Sequence, residues 1–143
     1  MLSKSLFNPT LPLKNIGNMG KKPQSILVVE DQSLFLDLTV QMLYEFNCHQ
    51  AKTLDEAIEM FDLYHSEIVF LDLALPDGSG LDVLRHVRSV SKESFVVILT
   101  ESTVEKDIRT AMELGASHYV LKPISRRKIK ECLDKYGYTE EDV

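Results

Sequence analysis

Three carboxylates come directly after two strongly apolar segments of the chain. Glu30 and Asp31 follow the run SILVV at 25–29, and Asp72 follows IVFL at 68–71. A carboxylate at the end of an apolar strand costs free energy unless a positive charge compensates it. If the two strands are neighbours, the three carboxylates repel one another, so either one takes up a proton or a cation binds among them. An all-oxygen cluster of this kind suits Mg²⁺.

Two further side chains could act on the same cluster. Thr100 comes directly after the apolar segment FVVIL at 95–99, and Lys122 comes directly after the segment SHYVL at 117–121. A carboxylate beside Mg²⁺, an ammonium group and a hydroxyl is equipped to accept a phosphoryl group by in-line attack. We therefore predict that Asp72 is a phosphoryl acceptor, with Lys122 and Thr100 binding the transferred group.

Apolar bursts alternate with amphipathic stretches along most of the chain, which predicts five β–α units. The predicted strands are 25–29, 48–52, 68–71, 95–99 and 117–121, and the predicted helices are 33–46, 54–64, 80–89, 103–114 and 125–136. Thr53 with Glu56, and Ser102 with Glu105, form capping boxes at the start of two helices. Gly115 stands where the fourth helix should end.

Strict alternation of strands and helices predicts a parallel sheet with helices on both faces. The first, third and fourth strands are the most apolar and belong in the middle of the sheet, while the second and fifth are more polar and suit its edges. This is the flavodoxin-like α/β fold, a (βα)5 three-layer sandwich with strand order 2-1-3-4-5. Its ligands bind at the carboxyl ends of strands one and three, where the three carboxylates stand.

The composition is that of a soluble globular protein with one domain. The chain has 143 residues, of which 44% are hydrophobic and 27% charged. The net charge of −6 argues against direct binding of nucleic acid, and no apolar run approaches the roughly 18 residues of a membrane span. We predict a domain at 25–137, a flexible N-terminal extension at 1–24 and a C-terminal tail at 138–143.

The cysteines and histidines show no metal-binding or redox pattern. Cys48 and Cys132 belong to no CxxC motif, and the four histidines form no Cys/His group. We predict two reduced, buried thiols, no zinc site and a cytoplasmic protein.

From about Ser25 to Gly137 the chain resembles the receiver domain of bacterial two-component response regulators. Four motifs carry the resemblance, in order and each at the expected strand end: ILVVED, VFLDLALPDGSGLDVL, VVILT and YVLKP. The resemblance implies that Asp72 is phosphorylated by a sensor histidine kinase or a histidine phosphotransfer protein. It implies no enzymatic activity beyond Mg²⁺-dependent self-phosphorylation and dephosphorylation.

The resemblance also implies roles for the residues around Asp72. Asp31 would bind Mg²⁺ directly and Glu30 through water, with Asp72 and the main-chain carbonyl of Ala74 completing the protein ligands. Glu30 departs from the family, in which an aspartate is commoner, and its longer side chain could alter the affinity for the metal. Ala74 offers no polar side chain beside the site.

The same resemblance assigns residues to the phosphoryl group and to the switch. Thr100 and Lys122 would contact the phosphoryl group, Tyr119 would be the aromatic switch residue, and the Lys122–Pro123 peptide corresponds to one that is often cis. Glu101 stands where members of the family usually carry a small residue, so it could hinder the approach of a phosphodonor.

Phosphorylation would shift the protein between two populations and remodel the surface of helix four, strand five and helix five. We expect a downstream protein to read that surface, and the resemblance allows two copies to pair on phosphorylation. Only seven residues follow Tyr136, too few for a DNA-binding output domain, so we expect a stand-alone receiver whose output is another protein, a relay partner or a domain that has been removed.

Other functions remain open from the residues. A degenerate receiver would use the same surface as a phosphorylation-independent binding module, and Glu30 and Glu101 favour it. A phosphohydrolase of the haloacid-dehalogenase type would need an aspartate where Ala74 stands, and a flavin or nucleotide binder would find its phosphate repelled by the acids after strand one. A basic cluster (Arg126, Arg127, Lys128, Lys130) is either a solvated helix face or a docking surface for an acidic partner.

Overall fold

A five-stranded parallel sheet forms the centre of the molecule, for which the computed structural model describes residues 21–101 and 105–139. The strands are β1 (Ile26–Val29), β2 (Cys48–Ala51), β3 (Ile68–Asp72), β4 (Phe95–Thr100) and β5 (His118–Leu121). Their order is β2-β1-β3-β4-β5, which confirms the predicted topology. The predicted extension at 1–24, the predicted tail at 138–143 and the capping residue Ser102 lie largely or wholly outside the described residues.

Five helices pack against the two faces of this sheet. They are α1 (Ser33–Met42), α2 (Leu54–Tyr64), α3 (Gly80–Val90), α4 (Glu105–Glu113) and α5 (Arg126–Tyr136). In the part of the chain that the structure describes, no helix is both long enough and apolar enough to cross a membrane.

The first helix ends four residues earlier than its apolar periodicity predicts. After Met42 the backbone N–H groups of Leu43 and Phe46 bond to carbonyls three residues back, at 3.0 and 2.9 Å. Such bonds tighten the chain into turns and end the α-helix. Leu43 and Phe46 are nevertheless buried in the core. The apolar pattern therefore continues past the helix end, which is why the prediction was too long.

Side chains that alternate along the strands divide the core into two clusters. Ile26 and Val28 of β1 pack with the buried side chains of α1 and α5, and we call this group the α1/α5 cluster. Leu27 and Val29 pack on the opposite face with buried side chains of α2, α3 and α4. All four residues are 0% exposed, as expected for a strand covered on both faces. The three-layer architecture thus follows from continuous apolar strands.

The loop after β3 folds into a short hairpin that is attached to helix α2. Ala74–Leu75 pairs antiparallel with Gly78–Ser79. At the tip, Asp77 accepts hydrogen bonds from the backbone N–H groups of Leu54 (2.7 Å) and Asp55 (3.2 Å), the first two residues of α2. These N–H groups have no partner within the helix. Asp77 therefore fastens the loop beside Asp72 to the start of a neighbouring helix.

Two local signals in the sequence are confirmed at helix ends. The Thr53 hydroxyl accepts a hydrogen bond from the backbone N–H of Glu56 at 3.1 Å, which is the predicted cap of α2. Gly115, which follows α4, has φ of +102°, a conformation that residues with a Cβ rarely adopt.

Candidate functional site

Strand alternation brings three charged side chains to one edge and one face of the sheet. Each stands two positions after a residue of the α1/α5 cluster: Glu30 after Val28, Asp72 after Phe70, and Lys122 after Val120. Residues two apart on an extended strand share a face, and all three positions lie at the carboxyl ends of parallel strands. The charged groups therefore meet although they are far apart in the chain.

Lys122 bridges the two buried carboxylates. Its Nζ lies 2.5 Å from Oε1 of Glu30 and 2.9 Å from Oδ2 of Asp72. The lysine side chain is only 11% exposed, and those of Glu30 and Asp72 are 2% and 8% exposed. Nζ also lies 5.7 Å from the ring centroid of Phe35, within the range of a cation–π contact. Charge-assisted hydrogen bonds of this kind compensate for the loss of hydration on burial.

The burial of these groups changes their proton affinities. Burial raises the pKa of Glu30 to about 7, and the nearby Asp72 carboxylate adds to the effect, while Lys122 and the Gln32 N–H oppose it. Burial alone would lower the pKa of Lys122, but its hydrogen bonds to Asp72 and Glu30 outweigh it, so the pKa of the ammonium is raised. One lysine thus remains charged beside more negative charge than it can neutralise.

The carboxylates form a set of ligand atoms that fits a divalent cation. One oxygen each from Glu30, Asp31 and Asp72 lies within 4.8 Å of the others. Hard oxygen donors at this spacing suit Mg²⁺ or Ca²⁺. Both oxygens of Glu30 already have partners, Oε1 in Lys122 and Oε2 in the backbone N–H of Gln32 at 3.2 Å. Both oxygens of Asp72 likewise have partners, the Ala74 N–H and Lys122, so these hydrogen bonds do not rank the carboxylates, and the individual ligand roles stay predictions.

A cavity of about 440 Å³ opens beside Asp72. Its lining includes five of the predicted site residues, namely Asp31, Asp72, Ala74, Thr100 and Lys122. Glu30 is not among the residues that line this cavity. Tyr119 is not part of its lining either: the ring is 38% exposed on β5 and its centroid lies 6.2 Å from that of His118. The structure thus brings five of the predicted site residues together around one cavity, whereas Tyr119 lies outside it, and the roles of these residues stay predictions.

The backbone around Asp72 is held closely by the loop that follows. The N–H of Ala74 donates to Oδ1 of Asp72 at 3.0 Å, and the N–H of Gly80 donates to the carbonyl of Leu73 at 2.8 Å. A Cβ added at Gly80 would lie 2.2 Å from the carbonyl oxygen of Asp72. Only glycine allows this approach. The Lys122–Pro123 peptide on the other side of the site is cis.

Several residues of the pocket had no signal in the sequence that we recognised. Gln32, Ser79, Leu81 and Asp107 line the cavity together with the predicted residues. Ser79 could have been found, because a serine before a helix is a common cap, and its hydroxyl accepts from the N–H of Leu81 at 3.1 Å. Asp107 reaches the pocket only through the placement of α4, which no local pattern specifies.

Comparison with known proteins agrees with this architecture. Residues 26–134 match the response regulator receiver domain family. The transcriptional regulatory protein CitB of Klebsiella pneumoniae is 27% identical over 115 residues, covering 78% of this chain and 49% of CitB. The phosphate regulon transcriptional regulatory protein PhoB of Escherichia coli strain K12 is 31% identical over 108 residues, covering 73% of this chain and 47% of PhoB. The chain therefore spans about half the length of these curated relatives.

A solved structure extends the comparison to three dimensions. The response regulator receiver domain protein (CheY-like) from Methanospirillum hungatei JF-1 aligns with a TM-score of 0.73 and 26% identity, covering 80% of this chain and 97% of that one. Because the family match covers most of the chain, this protein belongs to the response regulator receiver domain family of two-component systems.

Proposed function

We propose that the protein is the phosphoacceptor of a two-component system or phosphorelay, and that Asp72 receives the phosphoryl group from a phosphohistidine. The donor is a sensor histidine kinase or a histidine phosphotransfer protein. One observation carries the proposal: the buried Asp72 carboxylate opens onto a cavity of about 440 Å³ while its Oδ2 lies 2.9 Å from Lys122 Nζ. A carboxylate held in this way beside oxygen ligands for a cation is placed to attack phosphorus.

The transfer exchanges one bond to phosphorus for another. A carboxylate oxygen of Asp72 attacks in line, a P–O bond forms, and the P–N bond to the donor imidazole breaks with its electron pair left on nitrogen. The product is an acyl phosphate on Asp72 and a histidine free to take up a proton. Hydrolysis of the acyl phosphate by water restores the carboxylate and releases inorganic phosphate.

Residues of this chain bind and orient the transferred group. Lys122 supplies a positive charge, and Thr100, 4% exposed at the end of β4, supplies a hydroxyl in the same pocket. Asp31, Asp72 and the carbonyl of Ala74 would hold Mg²⁺, with Glu30 contributing through water. When bound, Mg²⁺ neutralises charge that develops on the phosphoryl oxygens.

The output is a change at the surface formed by α4, β5 and α5. Attraction of Thr100 to the modified Asp72 leaves space that the Tyr119 ring fills as it turns inward, and a partner protein reads the altered surface. In this proposal the protein acts in the cytoplasm, does not bind nucleic acid directly, and is not an enzyme for any separate substrate. Pairing of two copies after phosphorylation belongs to the same proposal.

The second candidate is a receiver that binds a partner without being phosphorylated. Two observations favour it: Glu30 is already paired with Lys122, and Glu101 lines the pocket through which a donor must reach Asp72. In that case the α4, β5 and α5 surface would work in one fixed conformation.

Intact-mass analysis after incubation with Mg²⁺ and acetyl phosphate separates the candidates. We expect one phosphoryl adduct on the wild-type chain and none on Asp72→Asn, an isosteric change that removes the nucleophile. Absence of an adduct with acetyl phosphate and with a phosphorylated histidine donor would refute the phosphoacceptor role and leave the binding module. Rapid release of phosphate from unrelated phosphate esters would instead indicate a hydrolase.

A further inference from the structure

Two carboxylates at the mouth of the pocket have no part in the proposed phosphoryl transfer. Glu101 comes directly after β4 and is exposed, and Asp107 lies in the first turn of α4. Both line the cavity that opens onto Asp72. Glu101 is the nearer of the two along the chain to the phosphoryl-binding residue Thr100. A phosphodonor that enters the cavity therefore meets the field of both carboxylates.

The charges around this pocket are not balanced. Among the residues that the structure describes, four carboxylates line it, those of Asp31, Asp72, Glu101 and Asp107, together with one ammonium, that of Lys122. This is an excess of three negative charges, and a divalent cation would leave an excess of one. A phosphodonor is itself an anion, so the field of the pocket opposes its entry.

We propose that Glu101 is a specificity-determining residue that slows phosphorylation by small anionic donors. The inference rests on the phosphoacceptor function proposed above and names the class of donor that the pocket prefers. That donor is a phosphohistidine on a protein whose docking surface brings basic side chains to the mouth of the pocket. Acetyl phosphate cannot bring this compensation, because it carries only its own negative charge.

The same carboxylate has the opposite effect on a cation. A negative charge at the mouth raises the local concentration of Mg²⁺ while it lowers that of a free phosphate ester. Removal of the charge should therefore weaken binding of Mg²⁺ and speed phosphorylation by a free donor. A residue that merely narrows the entrance would change neither the affinity for Mg²⁺ nor the dependence on salt.

The test compares the full chain with Glu101→Gln, which keeps the size of the side chain and removes its charge. Glu113→Gln is the matched control, because Glu113 is an exposed acid at the other end of α4 and does not line the pocket. Adduct formation is followed by intact mass with saturating Mg²⁺ and either acetyl phosphate, a dianion, or phosphoramidate, a monoanion. With acetyl phosphate the bridging P–O bond breaks and acetate leaves with the electron pair.

We expect Glu101→Gln to react about threefold to tenfold faster with acetyl phosphate at low ionic strength. The gain should be smaller with phosphoramidate, and it should shrink as salt screens the charge. Isothermal titration calorimetry should show about twofold to threefold weaker Mg²⁺ binding for Glu101→Gln in the same low-salt buffer. Glu113→Gln should match the wild type in both measurements.

Three results would overturn the inference, and they differ from one another. Equal rates and equal Mg²⁺ affinity for Glu101→Gln and the wild type would show that the charge does not act on the pocket. Faster reaction of Glu101→Ala without any change in Glu101→Gln would show that Glu101 obstructs donors by its size. No adduct on wild-type Asp72 with any donor would remove the phosphoacceptor function, and the inference with it.

Discussion

Glu30 and Lys122 explain how the site tolerates several carboxylates in a nearly closed environment. Glu30 is 1% exposed, and burial raises its pKa to about 7. Each of its oxygens has a hydrogen-bond donor, Lys122 on one side and the Gln32 N–H on the other. A buried carboxylate is stable only when its oxygens have such partners. Glu30 therefore holds the Lys122 ammonium beside Asp72.

Gly80→Ala should damage the site although residue 80 touches no substrate. The new Cβ would lie 2.2 Å from the Asp72 carbonyl oxygen and 2.8 Å from Cα of Leu73, both backbone atoms that cannot move independently. We expect a loss of about 2 kcal/mol in the free energy of unfolding and slower phosphorylation of Asp72. Urea unfolding and intact-mass kinetics measure the two effects, with Ser89→Ala on the exposed side of α3 as control. Unchanged stability and rate would contradict the close approach.

At the scale of secondary-structure elements, the hairpin after β3 depends on helix α2 for its position. The two carboxylate oxygens of Asp77 accept hydrogen bonds from the first two N–H groups of α2. The Thr53 hydroxyl accepts one from the N–H of Glu56, the third residue of the helix. A Cβ at Gly78 would lie 2.9 Å from a methyl group of Leu54, so the hairpin also packs against the helix. The loop that carries Ala74 is thus braced by an element from another β–α unit.

Asp77→Ala should lower stability in a way that depends on pH. The hydrogen bond from the Leu54 N–H is the main cause that lowers the pKa of Asp77. A lowered pKa means that the folded state prefers the carboxylate. The stabilisation is therefore present above the ordinary aspartate range and is lost as the pH falls through the folded pKa. The urea concentration at the midpoint of unfolding should be higher for the wild type than for Asp77→Ala at about pH 7. The two midpoints should converge at about pH 3.

Asp55→Asn is the matched control, because Asp55 is an exposed acid in the same helical turn and only its backbone N–H, which the substitution keeps, bonds to the hairpin. A gap between wild type and Asp77→Ala that stays constant over the pH range would show that the carboxylate charge is not what caps α2.

The basic cluster on α5 is partly used within the chain. Lys128 donates to the carbonyls of Leu121 (2.7 Å) and Pro123 (3.0 Å), and Arg127 pairs with Glu131 at 2.5 Å on the exposed face. Lys128 therefore fastens α5 to the end of β5 beside the site.

For the molecule as a whole, packing determines the reactivity of the two thiols. Both cysteines are free; Cys132 is buried as predicted, whereas Cys48 is only half-buried because β2 is an edge strand. Burial raises the pKa of Cys48 to about 11 and that of Cys132 to about 12. A thiol reacts as its thiolate, which is scarce well below the pKa.

Both thiols of the native protein should react slowly with an aromatic disulfide reagent at about pH 8, where about a thousandth or less of each is thiolate. Cys48 should react before Cys132. After unfolding in guanidinium both thiols should react fully and release two equivalents of the aromatic thiolate per chain. Absorbance of the released thiolate follows the reaction, and Cys48→Ser assigns its phases. Fast reaction of Cys132 in the native protein would show that the α1/α5 cluster opens readily.

The amino-acid sequence by itself determined the elements and the edge at which they present their polar groups. Apolar runs predicted β1, β3 and β4 at the centre of the sheet, because a strand covered on both faces needs apolar residues at every position, and the more polar segments predicted β2 and β5 at its edges. Local signals placed the Thr53 cap and the Gly115 helix end correctly. The carboxylates at the carboxyl ends of β1 and β3 could be recognised in the sequence as candidate site residues, because charged residues are unusual at the end of a buried strand.

Tertiary structure alone decided which of these groups become partners. Nothing local indicates that Lys122 bonds Glu30 as well as Asp72, that Asp77 caps a helix from an earlier unit, or that Asp107 reaches the pocket. Such contacts depend on distances between elements, and these are set by the packing of helices on the sheet. A sequence pattern repeats within one element, whereas a hydrogen bond between elements requires atoms to meet within about 3 Å.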